Sequence, residues 1–119
     1  MTETEDDPLR LFEEVVERAL NSLPEHLAEA VSNVQIVIEE EHPSDRHIYG
    51  FYTGVPLTER GSGYAGALPD KISIYRRPLH EDFGHDRELL EEEIRITVLH
   101  ELGHHFGIDE DRLHELGWS

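Results

Sequence analysis

The chain contains no cysteine, which excludes a disulfide framework and any thiolate metal site, so a transition metal here must be held by histidine and carboxylate. Its single methionine is Met1. Basic residues are scarce: 10 Lys plus Arg stand against 27 Asp plus Glu, for a formal net charge of -17. That field repels phosphate backbones and anionic bilayers, so neither nucleic acid nor a membrane surface is an expected partner, while cations and basic peptide segments are drawn in. No apolar run approaches the roughly 18 residues of a membrane span. The acidic opening, M-T-E-T-E-D-D-P, is unlike a secretory leader, which is basic and then apolar. A cytoplasmic location is therefore expected.

A chain of 119 residues can close one core, and a single domain over 1–119 is expected, with 1–7 as a flexible acidic tail. Pro8 suits the first turn of a helix in which Leu9, Phe12, Val15, Val16, Ala19 and Leu20 recur at helical spacing. Ser22-Leu23-Pro24 breaks it and starts a second short helix over about 24–31. Val34, Ile36 and Ile38 then share one face of a strand, and Val37 on the other face predicts a central strand covered on both sides. Residues 48–53 read weakly as a strand, 54–70 as a long loop. K-I-S-I-Y-R alternates clearly and ends near Arg76, and residues 78–86 read as a polar turn before the longest helix, Arg87 to Gly107. The element order predicts an α+β fold, a small mixed β-sheet packed with helices.

The longest helix carries the chemistry. At about 100° per residue, Leu99, Leu102 and Phe106 lie on one side, while His100 and His104 are only about 40° apart on the other, so both imidazoles can reach one ion. Two neutral imidazoles at i and i+4 suit zinc, leaving a carboxylate or His as third ligand and an open fourth position. The residue between them, Glu101, is directed off the metal, where it can act as general base. Composition alone would produce a bare H-E-x-x-H in roughly one shuffled chain in ten. Gly107 and the acid three residues later extend the pattern and lower that expectation to roughly one in five hundred. Gly107 lets the backbone leave the helix and turn back toward the metal. Glu110 is then the expected third ligand, with Asp109 or Asp111 as the alternative if the register differs by one residue.

These residues resemble the active-site helix of the zincins, and the extension is similar to the metzincin pattern with an acid in place of the third His. More closely, L-P-D-K-I-S-I-Y-R-R-P at 68–78 together with H-E-L-G-H-H-F-G-I-D-E-D-R-L at 100–113 resembles the small bacterial family of minimal zincin-like metallopeptidases. The resemblance runs over about residues 9–118. It implies a minimal zincin-like fold with the motif on a long C-terminal active-site helix, Zn2+ as cofactor, and hydrolysis of peptide bonds in peptide or protein substrates by zinc-activated water. Family members usually carry Asp where this chain has Glu110, and the Met-turn of a metzincin is absent. The alternative is a non-catalytic metal-binding or protein-interaction module with an incomplete cleft, or one whose cleft a protein partner completes.

The remaining polar residues are read more plainly. His105 points about 140° from His100 and is expected behind the site or at the surface. His114 is expected to be structural, and His26, His42, His47, His80 and His85 to be surface residues. Tyr64 and Tyr75 have hydroxyls that could face an oxyanion, but a core or rim position is expected. Thr97 is expected simply on a helix face, and Glu91 to Glu93 as a solvated first turn. A peptide is expected to add beside an edge strand at Ile72 to Tyr75.

Overall fold

The computed structural model describes residues 8–31, 33–59 and 69–119. The acidic tail and Tyr64 lie outside the described residues. Helix α1 (Pro8–Asn21) begins at its proline and buries Phe12, Val15 and Ala19, one stripe at helical spacing, while Arg10 and Glu14 pair on the exposed side. Helix α2 (Glu25–Ala28) is a single turn running into a 3-10 turn over Glu29–Val31.

Three strands form one mixed sheet in the order β1-β3-β2. Strand β1 (Val34–Glu39) runs parallel to β3 (Asp70–Tyr75), with Ile36 opposite Ile72. Strand β2 (Gly50–Thr53) runs antiparallel along the other side of β3, with Tyr52 opposite Ile72. Two expectations are corrected here. Residues Ile72 to Tyr75 are not an edge, because β3 is paired on both sides and is buried everywhere except at half-buried Lys71. Conversely β1, expected at the centre, is an outer strand of the sheet, and its Val37 is only half-buried. Helix α1 packs against β1, and β3 pairs with it along one edge.

Residues 78–86, expected as a polar turn, mostly form helix α3 (Arg76–Phe83). Pro78 falls in its first turn, where a missing amide hydrogen breaks no helical bond, and an i,i+4 Arg77–Glu81 pair supports the helix. Helix α4 (Arg87–Phe106) starts at Asp86, whose carboxylate accepts from the amides of Glu88 and Leu89. It packs against α1, α3, β2 and β3, with Leu90, Ile94, Val98 and Leu102 in the core beside Ile72, Ile74 and Leu79. Helix α5 (Glu110–Leu116) closes the chain against α4 through Leu113. The architecture is α+β, and no helix among the described residues is long and apolar enough to cross a membrane.

Candidate metal centre

Helix α4 ends at Gly107, which sits at φ 79°, a left-handed conformation that glycine adopts without steric cost. The Ile108 amide donates to Gly103 O and the Gly107 amide to His104 O, the pairing of a Schellman stop, which satisfies the last carbonyls and reverses the chain. Asp109 then caps α5, its carboxylate accepting from the Arg112 amide at 2.9 Å. The next residue, Glu110, is thereby thrown back over the end of α4.

His100, His104 and Glu110 come together as a group able to hold a metal ion. Their Nε2, Nε2 and Oε2 atoms are 3.2 Å (His100 to His104), 3.5 Å (His104 to Glu110) and 3.8 Å (His100 to Glu110) apart. Ligand atoms placed tetrahedrally about 2.0–2.1 Å from zinc would be roughly 3.3–3.4 Å apart, so the donor set and spacing fit that ion. Asp109 spends its carboxylate on the α5 cap, and Asp111 is exposed and outside the group.

The rings are held from behind. His100 Nδ1 donates to the backbone carbonyl of Trp118 at 3.0 Å, which leaves the Nε2 lone pair directed at the site. That carbonyl is delivered by a second Schellman stop at Gly117, where the Trp118 amide donates to Leu113 O. Burial, and then neighbouring His100, lower the pKa of His104, favouring the neutral ring that a metal needs.

Glu101 is 9% exposed, and among the described residues no arginine or lysine is bonded to it. Burial pushes its pKa up to about 7, with His100 pulling it down and the charge of Glu110 adding to the rise. It lies at the floor of a cleft between α4 and the segment containing β2. One cavity of about 350 Å³ opens on the His100 side of Glu101 and another of about 540 Å³ on the His104 side, both walled by Ile48 and Gly50.

Of the other polar residues, some depart from expectation and some meet it. His105 is neither exposed nor at the site: it is 1% exposed, with Nδ1 2.6 Å from Asp70 Oδ2 and Nε2 3.1 Å from Ala30 O. Both ring nitrogens are thus occupied by oxygen partners, and Asp70 also accepts from the Tyr52 hydroxyl. Glu91 to Glu93 occupy the second turn of α4, not the first, and Glu93 is half-buried beside the cleft. Thr97 is buried, its hydroxyl donating to Glu93 O at 2.7 Å. Tyr75 is buried, and its neighbour His42 is half-buried, with its ring edge-on to Tyr75 and Phe51. His26, His47, His80, His85 and His114 are exposed.

Asp70, Gly50 and Trp118 were not foreseen. Asp70 has a faint signal, an acid opening the best-alternating strand, but its partner lies 35 residues away. Trp118 contributes a backbone carbonyl, which leaves no trace in a side-chain pattern. Compared with known families, residues 10–118 match the model described as zincin-like metallopeptidase. No curated protein matches the chain.

Proposed function

Because the chain belongs to the zincin-like metallopeptidase family, we propose that it is a zinc-dependent peptidase in which His100, His104 and Glu110 hold the metal and Glu101 is the general base. The observation that carries this reading is the placement of three ligand-type atoms beside a buried carboxylate with a pKa near 7, at the floor of an open cleft. A zinc ion bound there supplies Lewis acidity, polarising a carbonyl and making water more acidic. Glu101 takes a proton from the attacking water and returns it to the amide nitrogen that leaves, and a pKa near neutrality suits both transfers. With β3 covered on both sides, β2 is the strand beside which an extended peptide substrate lies.

A closed structural metal site would bury all its ligands and fill the fourth position. The Glu110 side chain is instead 67% exposed and the two cavities open beside the histidines, which favours the catalytic reading over a non-catalytic module. The test is digestion of a peptide library by the zinc-loaded chain, with the Glu101→Gln variant and the chelated protein as controls. Glu101→Gln is expected to retain about one zinc per chain and to lose at least about a hundredfold in rate. Cleavage at an unchanged rate in that variant would sink the assignment of the base, and loss of zinc would make Glu101 a ligand.

A further inference from the structure

The cavity on the His100 side of Glu101 has a composition that the hydrolytic chemistry does not need. Its walls are largely apolar: Ile96 and Thr97 from α4, Ile48 and the Tyr49 ring from the segment leading into β2. Farther along α4, Glu93 also lines it. The three consecutive acids of α4 are not equivalent. Glu91 is paired with Arg18 and Arg87, and Glu92 with Arg95. The Glu93 carboxylate has no such cation among the described residues, and it is the one that faces the cavity.

A second carboxylate stands close by. The Tyr49 hydroxyl donates to Asp82, and this phenol is flanked by both Asp82 and Glu93. Burial, the Asp82 hydrogen bond and then the two negative charges push the Tyr49 pKa up to about 12, so the phenol stays neutral and adds no third charge. The cavity is thus a greasy sleeve beside the candidate base with uncompensated negative charge on its wall. A long side chain with an apolar stem and a cationic head meets both requirements, its methylenes on Ile48, Ile96 and the Tyr49 ring and its head at Glu93.

Building on the peptidase reading, we propose that this cavity is a specificity pocket for an arginine or lysine side chain of the substrate, and that Glu93 is the residue that selects it. Glu93 lies seven residues before His100, about two helical turns along α4, so it acts on substrate choice and not on proton transfer.

The test compares acetyl-Ala-Ala-Arg-Ala-Ala-amide with the same peptide carrying citrulline, a neutral isostere of arginine. Binding to the full zinc-loaded chain carrying Glu101→Gln, which leaves the peptide intact, is followed by NMR titration at pH 8 and low salt. Arginine is expected to bind about tenfold more tightly than citrulline, and adding Glu93→Gln to reduce that ratio below about threefold without changing zinc content. The same charge change at exposed Glu13 on α1 is expected to leave the ratio intact, which separates the pocket from the overall field of a chain at -17. A ratio near one, a ratio insensitive to Glu93→Gln, or an equal drop with Glu13→Gln overturns the proposal. Relative cleavage of the two peptides by the chain with Glu101 intact provides a second reading. Arginine-selective binding without cleavage would refute the peptidase and keep the pocket, whereas cleavage indifferent to arginine would do the reverse.

Discussion

Glu101 and Glu110 are separated by one turn of helix and a chain reversal, yet their carboxylates are under opposite constraints. Glu101 is buried and its pKa stands near 7 against a usual 4.5. A carboxyl whose folded pKa is raised favours the folded state only while it is protonated. In the metal-free protein its burden is therefore absent below about pH 4.5, grows as pH rises, and is complete above pH 7 at no more than about 3 kcal/mol. Metal-free Glu101→Gln should match the native chain in urea melts at pH 4.5 and exceed it at pH 8. Equal stability at both would mean that water reaches the carboxylate. Glu110 is largely exposed, so its replacement by Gln should barely alter stability but should weaken zinc binding in a competition titration. Asp109→Ala is expected to do the opposite, costing about 1 kcal/mol of stability through the lost α5 cap with little effect on zinc. At this scale the sequence revealed much. The i, i+4 histidines, the acid between them and the glycine that stops the helix are all local patterns. The preference for Glu110 over Asp109 and Asp111 rested on spacing alone, because which acid caps α5 is not written in the ligand pattern.

Helix α5 meets α4 at Gly103. A Cβ built at Gly103 would come within 2.2 Å of Leu113 Cδ2, and Leu113 is fully buried with little room to retreat. Gly103→Ala should therefore destabilise the protein by about 1–3 kcal/mol despite alanine's better helix propensity. Because α5 would be pushed off with Glu110 at its start, zinc affinity should fall as well. The double variant with Leu113→Ala should lose less stability than the two single changes added together, a coupling that a double-mutant cycle measures. An additive result would show that the two helices are not held at this point. Helices α1 and α4 were readable in the sequence because apolar spacing over many residues is a strong signal. Helix α3 was not, because its first turn is built from Arg76, Arg77 and Pro78, and the ion pair that supports it looks like loop polarity. The strand order escaped for a different reason: apolar residues on both faces of β1 report what covers its faces and do not say whether one edge or both are paired.

Across the whole molecule, a formal charge of -17 on 119 residues means that folding compresses like charges, while the surface ion pairs such as Arg10–Glu14 and Arg87–Glu91 are mostly exposed and worth little each. Thermal melting should consequently move upward between about 10 mM and 500 mM salt, as screening relieves the repulsion. A downward shift would show that the ion pairs outweigh it. Beneath this exterior, one buried polar contact joins α4 to β3, between His105 and Asp70. Neighbouring residues on a helix point about 100° apart, so a ring tied on the far side of α4 to a strand and to the carbonyl of Ala30 acts as an indexing pin for the helix. It sets the azimuth at which His104, one residue earlier, faces the cleft. The proposed ligand cluster is then oriented by the fold before any ion arrives, and metal uptake would have little backbone left to organise: the near-ultraviolet spectrum should hardly change on loading, and on-rates should follow ion dehydration and not a folding step.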